Sequence, residues 1–498
     1  MNIMEGVMQG IQVAFSLQGL FFIFIGVLLG TIIGMLPGLG PITAIGVMIP
    51  ISYGMDTSLA LVLMAGVYYG SVFGGSTSSI LLNAPGIAGT VATTFDGYPM
   101  AQQGKAGKAL AIAAICSFIG GTVGVILLMT FTPLLAKVAL VFGPSEYFVL
   151  MLLALTAISS LTDDSTIRAL ISGVLGFIVA TIGMDAQTGT PRFTFGNINL
   201  LNGIDFLVIA LGLFALAEIW FLIINRNEKG FGAKSKIGSI RLTKKDFKEM
   251  KGPATRQSFL GFLLGVLPGA GATIASFIGY ATEKRISKKP EKFGKGSVEG
   301  IAAPETANNA ATSGAFVPLL SLGIPGSGTT AVLLGALLVM GVNPGPMLIQ
   351  DEPTLFWSVI ISMYIGNVIL LILNLPLIPY IAKILKIPKP MLISLVTMFC
   401  LVGVYSLSFN TFDLYLLLIF GVIGYLMKVL NFPPAPFIIS FILGGMMEQS
   451  LRKAMTISNG SLSIFIERPI SLGLLVVTVL TIITPPIVKF IKKKKQYN

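Results

Sequence analysis

The chain has 498 residues, 54% of them hydrophobic and only 11% charged, with a net charge of +12 and a mean hydropathy of +0.88. A soluble protein carries roughly 25% charged residues, so this composition excludes an ordinary soluble domain. It describes an all-α polytopic membrane protein with room for about 10–12 spans of roughly 20 residues, re-entrant hairpins included. Histidine is absent, which excludes histidine proton relays, histidine-ligated metal sites and every Ser-His-Asp or Cys-His catalytic set.

Met1 to Leu20 holds no lysine or arginine. It lacks the basic start of a signal peptide and is expected to stay attached. The apolar run Leu17 to Ile33 leads into Gly34-Met35-Leu36-Pro37-Gly38-Leu39-Gly40-Pro41, and Ile42 to Ile51 is too short to span alone. Leu20 to Ile51 therefore reads as a hairpin or broken helix. Proline removes a backbone donor and glycine reaches dihedrals closed to other residues, so Pro37-Gly38 ends one helix. A second restarts at Pro41, where a missing N–H costs nothing. In lipid such a break survives only where protein or a wet cavity covers it.

Leu59 to Leu82 is the next span. It carries the hydroxyls Ser71, Ser76, Thr77, Ser78 and Ser79 and stops at Asn83-Ala84-Pro85-Gly86. Asp96-Gly97-Tyr98-Pro99-Met100 reads as a turn. Ala109 to Phe142, Phe148 to Leu161, Ala169 to Ile182 and Phe206 to Ile224 are further spans. Cys116 and Cys400 lie in apolar runs and read as small core residues. Asp163 and Asp164 end a span and belong at a water interface.

Residues 225–256 hold ten Lys/Arg against three Asp/Glu, and 283–299 hold six against three. Short basic loops stay in the cytoplasm. The segment between them, carrying Gly265-Val266-Leu267-Pro268-Gly269-Ala270-Gly271-Ala272, then has both ends inside and reads as a re-entrant hairpin tipped by Pro268-Gly269. The basic tail Lys489 to Lys495 is also placed inside. The chain divides into a first transmembrane repeat (1–224), a basic cytoplasmic linker (225–256) and a second repeat with C-terminal spans (257–498). Five of the 33 Lys/Arg precede Asn225, so the positive charge marks topology. No aromatic interleaving or recognised module accompanies it, and no nucleic-acid partner is expected.

Landmarks recur in one order. Pro37 returns as Pro268, Pro85 as Pro325 and Pro99 as Pro346, at offsets of 231, 240 and 247 residues. Loops near the first copy are almost free of basic residues and those near the second are rich in them, which favours two inverted repeats with the first hairpin opening outside.

Polar residues inside spans are costly and need a reason. Hydroxyls that bond back to their own helix, or small-residue packing, explain isolated cases. Gly30/Gly34, Gly70/Gly74 and Gly261/Gly265 have the spacing of close helix packing. Two sets remain as candidates. Pro37, Gly38, Gly40, Thr43, Ser76, Thr77, Ser78 and Asn83, with Pro268, Gly269, Gly271, Thr273, Pro325, Gly326, Ser327 and Thr329, surround helix restarts. Restarted helices present unpartnered N–H groups and a positive dipole end, which suits carboxylates without buried arginines. Glu305, Asn308, Asn309 and Thr312 offer the oxygen ligands of a small coupling cation, Na⁺, or a proton site. No other cofactor is expected, and the glycine motif is no phosphate loop because no Gly-Lys-Ser/Thr follows it.

The Gly34 to Pro41 motif, the run from Tyr69-Gly70-Ser71 to Asn83-Ala84-Pro85-Gly86, Asp96 to Met100, Pro304-Glu305-Thr306-Ala307-Asn308-Asn309 and Gly323-Ile324-Pro325-Gly326 resemble the TctA family over nearly the whole chain. TctA is the large membrane subunit of tripartite tricarboxylate transporters. The resemblance implies ion-gradient-driven uptake (symport) of carboxylates such as citrate, a small four-span membrane partner of the TctB type and an extracytoplasmic solute-binding protein of the TctC type. It also implies a multi-pass position in the cell (inner/plasma) membrane and kinship with elevator-like ion transporters. A channel or exporter of small organic anions with the same architecture is the other reading, and a membrane enzyme is disfavoured because no catalytic set is present.

Overall fold

The structure is a computed structural model, described for residues 3–36, 39–160, 166–185, 187–224, 237–269, 271–383 and 389–496. The Pro37-Gly38 tip, Ala270, Asp163, Asp164 and the first part of the basic linker, 225–236, lie outside the described residues. Within them the protein is an all-α polytopic membrane protein. The strands found there are one antiparallel pair, β1 (Gly183–Met184) and β2 (Pro191–Arg192). Six helices are long and apolar enough to cross a membrane, and several shorter apolar helices accompany them.

In chain order the main helices are α1 (Ile3–Phe15), α2 (Leu17–Met35), α3 (Gly40–Ser52), α4 (Thr57–Leu82), α5 (Val91–Met100), α6 (Ala106–Ala139), α7 (Pro144–Ser160), α8 (Thr166–Ala180) and α9 (Phe206–Ile224). They continue with α10 (Lys244–Val266), α11 (Gly271–Ile286), α12 (Val298–Gly314), α13 (Phe316–Leu322), α14 (Gly328–Val339), α15 (Pro353–Asn374), α16 (Lys389–Ser408), α17 (Thr411–Val429), α18 (Pro434–Ile457) and α19 (Pro469–Gln496). Helices α2–α6 and α10–α15 form a core. Around it α7 packs on α18 and α19, α8 on α18, and α9 on α17.

One sequence expectation gives way here, and the linker shows structure that its sequence does not announce, for 225–256 is helical from Lys244 onward. Thr243 and Asp246 form a reciprocal capping box that starts α10, and Lys108 bonds Asp246 Oδ1 at 2.6 Å. A basic helix half in water shows little apolar periodicity, which is why its start is not legible in the sequence. Asp96 to Met100, expected as a turn, is the last part of α5. Tertiary bonds decide it. The Asp96 carboxylate is fully buried and accepts the backbone N–H groups of Gly294, Lys295, Gly296 and Ser297 at 2.6–3.1 Å, with the Tyr280 hydroxyl at 2.9 Å. A bonded anion at the start of α12 outweighs the weak local preference of Gly and Pro. It also ties α5 of the early core to α11 and α12 of the late core.

The glycine pairs do what their spacing predicts. A side-chain carbon at Gly30 or Gly34 would collide with the backbone of Val67 or Ser71 in α4, and one at Gly74 with Thr31 of α2. In the late core Gly261, Gly265 and Gly314 stand against Ala307, Ala311 and Phe262 in the same way. Helices α2 and α4, like α10 and α12, therefore pack backbone to backbone, the closest approach lipid-embedded helices make.

At the periphery, Arg452 on α18 grips Asp185 and Glu448 at 2.5 Å each, and Arg192 of β2 holds Glu448 at 2.7 Å. The Arg452 guanidinium, helped by the Gln187 and Thr188 amides, holds the Asp185 carboxyl well below the usual carboxylate range.

Replacing Asp96 with alanine leaves its backbone donors without their acceptor. We expect Asp96→Ala to lose on the order of 3 kcal/mol of stability, read as a lower thermal midpoint in detergent, with Asp96→Asn recovering part of it. An unchanged midpoint in the alanine variant would show that this bond cluster does not hold the two parts of the core together.

Candidate functional site

Four helix starts in the core each follow a break rich in proline and glycine. Leu36 and Leu267 leave α2 and α10 in matching extended conformations, each returning its N–H to the residue three back. Gly40 (φ +46°) and Gly271 (φ +53°) then open α3 and α11 in the left-handed region that favours glycine. The broken spans match as well. Asn83 (φ 54°) ends α4 and Gly323 (φ +68°) ends α13, both left-handed, before Pro85-Gly86 and Pro325-Gly326.

The breaks touch each other. The Gly269 N–H donates to the Gly326 carbonyl at 2.9 Å, joining the hairpin tip to the second break. A side-chain carbon added at Gly328 would lie 3.1 Å from Ile42 of α3, and one at Gly89 would lie 3.4 Å from Ala272 of α11. Each hairpin helix thus begins against the break in the other half of the core. The α3 start carries no side-chain cap, and neither does the turn at Ala88–Thr90. Their first N–H groups keep the electropositive end of the helix free for an anion. The α14 start is different, because Ser327 and Thr330 cap it reciprocally.

Of the expected carboxylate-binding residues, Thr43 and Thr329 are buried at helix starts, Gly271 faces Ser327, and Pro325 and Gly326 are buried at the second break. Thr273 and Pro268 are half-buried, and Asn83 is exposed at its helix end. Tyr68, which sequence reasoning missed, sits among the hydroxyls of Ser327, Thr312 and Thr329. It occupies the position that Asn308 holds 240 residues later, and Asn308 Nδ2 donates to the Gly89 carbonyl at 3.1 Å.

The buried carboxylate is Glu305 on α12, with no exposed surface. Three hydroxyls from the early core donate to it. They are Ser76 of α4 at 2.6 Å, Thr93 of α5 at 2.5 Å and Ser117 of α6 at 2.9 Å. No lysine or arginine pairs with it among the described residues. A buried carboxylate without a cation persists when its lone pairs are filled, and three donors go far toward that. The expected companions turn elsewhere. Asn309 Nδ2 donates to the Glu305 backbone carbonyl and to Asn308 Oδ1, and the Thr312 hydroxyl donates to the Asn308 carbonyl. Asn308 stands beside the Glu305 carboxylate while committing its N–H to Gly89.

The hydroxyl run on α4 separates into two kinds. Ser71, Ser78 and Ser79 bond back to the carbonyls of their own helix, the ordinary fate of such side chains. Ser76 reaches Glu305, and Thr77 lines a small pocket beside it. Thr93 and Ser117 carried no sequence signal, since hydroxyls such as these are ordinary in apolar helices. Only the fold brings them to Glu305. Among the described residues no cluster of three or more Asp, Glu, Cys or His is placed to hold a metal, and both cysteines are buried free thiols.

A helical membrane protein whose core joins four broken-helix ends around uncapped N–H groups and a caged carboxylate has the makings of a transport protein. The profile of the Tripartite tricarboxylate transporter TctA family matches residues 20–439, and the chain belongs to that family. TctA proteins are the large membrane subunit of tripartite tricarboxylate transporters, a family of transporters rather than enzymes. An Agrobacterium vitis protein described as an uncharacterized 52.8 kDa protein in the TAR-I ttuC' 3'region is 43% identical over 477 residues, covering 96% of this chain and 95% of its own. A second protein of the same organism, described as uncharacterized and in the TAR-II ttuC' 3'region, is 46% identical over 230 residues, or 46% of this chain and 95% of its own. No solved structure matches the chain.

Gly269 has φ +87° and donates to Gly326. We expect Gly269→Ala, strained by roughly 1–2 kcal/mol, to fold and insert at near-normal yield while transport by the assembled system falls about tenfold or more. Normal transport by this variant would show that the joined tips are not part of the binding site.

Proposed function

We propose that this chain is the permease subunit through which a cation gradient drives uptake of di- and tricarboxylates, citrate-like in chemistry, across the cell membrane. An extracytoplasmic TctC-like binding protein delivers the substrate, and a four-span TctB-like subunit completes the complex. The observation that carries this reading is the set of helix starts at the breaks, with α3 and the Ala88–Thr90 turn free of side-chain caps, where no lysine or arginine is needed. Backbone N–H groups at α3 and α11, with Thr43, Ser327 and Thr329, bind carboxylates. Glu305 senses the coupling ion.

The arrangement is two inverted repeats, and several contacts favour it. The glycine approaches in α2–α4 recur in α10–α12 at the same offsets of 231 and 240. With the basic segments inside, Lys108 and Asp246 mark the inner end of α6. Residues 142–144, next to the Glu146–Arg468 pair, then lie outside, as does the β1–β2 hairpin held by Arg452. Counted this way the basic tail returns inside, in agreement with positive-inside charge. The first hairpin opens outward and the second inward, and the helix returning from each, α3 or α11, begins beside the other repeat's break. The outer group, α7–α9 with α16–α19, is the scaffold against which an elevator-like core moves.

Two experiments bear on this. A cysteine replacing Thr188 on the β1–β2 hairpin should react with impermeant thiol reagents in intact cells, and one replacing Lys292 should not. Reaction at both, or at Lys292 alone, contradicts the inverted arrangement. The function itself is tested by reconstitution with both partner subunits and a panel of labelled carboxylates under separate Na⁺ and H⁺ gradients. Net uptake that collapses with one gradient is expected, and flux indifferent to both would favour a channel. In that assay Glu305→Gln keeps shape and loses charge. We expect folded protein with uptake lost or no longer dependent on the gradient, and unchanged cation dependence would remove Glu305 from coupling.

A further inference from the structure

We propose that the pocket between α4, α6 and the end of α15 is a seat for one small hard cation, Na⁺ by size and ligand chemistry, formed by Ser76, Thr77, Ser117 and Asn374. This deepens the transport reading by placing the coupling ion beside Glu305 on residues of the early core and α15, rather than on the Asn308-Asn309 pair.

Asn374 is the starting observation. It is the last residue of α15, 4% exposed, and lines the pocket with Ser76, Thr77 and Ser117. Its Nδ2 donates to the Leu370 carbonyl at 3.0 Å, which fixes the orientation of the amide. Its Oδ1 is buried and has no hydrogen-bond partner. A buried carbonyl oxygen left in that state calls for a donor or a cation.

The two serines answer in the same sense. A hydroxyl has one proton, and those of Ser76 and Ser117 are both spent on Glu305 Oε2, at 2.6 and 2.9 Å. What each serine can offer the pocket is lone pairs. The two serines can only accept there, Asn374 presents an unpartnered carbonyl oxygen, and Thr77 is a hydroxyl able to accept as well as donate. A pocket whose free capacity is mostly oxygen lone pairs disfavours an anion and suits a cation. Hard cations take oxygen ligands of this kind, neutral hydroxyls and amide carbonyls included. The charge balance points the same way. Glu305 is a buried carboxylate with no basic partner among the described residues, and Ser76 and Ser117 would each link it to the cation through a single oxygen. The pocket has room for about one water-sized group. Phe73 and Leu110 wall it with hydrocarbon. That space admits Na⁺ and excludes ammonium- or guanidinium-bearing side chains.

The asparagine pair lacks these features. The amide nitrogens of Asn308 and Asn309 donate to backbone or side-chain oxygens already in place, and Asn308 Oδ1 already accepts from Asn309. Of these three asparagines, the one whose side-chain carbonyl is buried without a hydrogen-bond partner is Asn374.

The test measures binding alone, without carboxylate or partner subunits. Purified full-length protein in detergent and choline buffer is titrated with NaCl, KCl and choline chloride, reading the thermal midpoint and, for Na⁺, the heat of binding. A saturable Na⁺ response at least tenfold stronger than that to K⁺ is expected. Asn374→Leu and Ser117→Ala should weaken it tenfold or more, Asn374→Asp should restore it by returning an oxygen, and Asn199→Ala, far from the pocket, should leave it unchanged. If Asn374→Leu fails to fold, Ser117→Ala and Asn374→Asp decide the matter. No saturable response to any cation means the pocket holds water, and a Na⁺ constant unaltered in Ser117→Ala places the ion elsewhere. Either result overturns the proposal. Na⁺ binding in a protein that moves no carboxylate leaves the seat standing and sinks the transport reading. Carboxylate uptake by a protein blind to Na⁺ does the reverse.

Discussion

Backbone-to-backbone contact between helices is the constraint on which the rest of this structure depends. Lipid gives two helices little reason to associate through apolar side chains, so their attraction comes from close packing and polar contacts. At Gly34 and Gly265 the neighbouring helix comes so near that any side-chain carbon would strike the backbone of Ser71 or Ala311. Gly86 and Gly326 then fold the broken ends back onto the same places, against the carbonyls of Gly34 and Gly265. The breaks are held by the same glycines that lock the helices. This is how non-helical backbone is kept at membrane depth, with its polar groups covered by protein.

A second constraint follows from burying Glu305. Its cage comes from three separate helices, α4, α5 and α6, while the carboxylate itself rides on α12. Any relative shift of the early and late parts of the core must break three charge-assisted hydrogen bonds. Asp96 links the same two parts from the opposite direction, a carboxylate on α5 held by the backbone at the start of α12. The two carboxylates tie the two parts of the core together from opposite directions.

Much of this was legible in the sequence, and the reasons for the rest are physical. Breaks were legible because proline and glycine act on their own backbone, so Pro268-Gly269 and Pro325-Gly326 announce themselves without a fold. The family was legible for the same reason, since its motifs are those breaks. Glu305 stood out because a carboxylate in an apolar run is rare. Its donors did not, because hydroxyls such as those of Ser117 and Thr93 are ordinary in a membrane helix until the fold brings them to the acid. Asp96 was misread because its helix is held by backbone donors 198–201 residues away, which no local rule contains. The Pro37-Gly38 tip lies outside the described residues, so the early hairpin is known by its flanks, Leu36 and Gly40.

The matching positions also show where the two halves part company. Gly40 and Gly271, Asn83 and Gly323, Gly86 and Gly326, and Thr90 and Thr330 agree in backbone geometry or bonding. The side chains that carry charge and hydrogen-bonding capacity do not. Glu305 corresponds to Ala65, and Asn308 to Tyr68. A site whose frame is duplicated and whose polar chemistry is one-sided treats its two faces differently. Helix N–H groups, present in both halves, can grip a carboxylate from either direction. On the proposed reading, a charge-sensing residue present in only one half makes the seat of a coupling ion one-sided. That division fits a carrier, in which the anion has to be met from both sides of the membrane while the driving ion needs a single seat that travels with it.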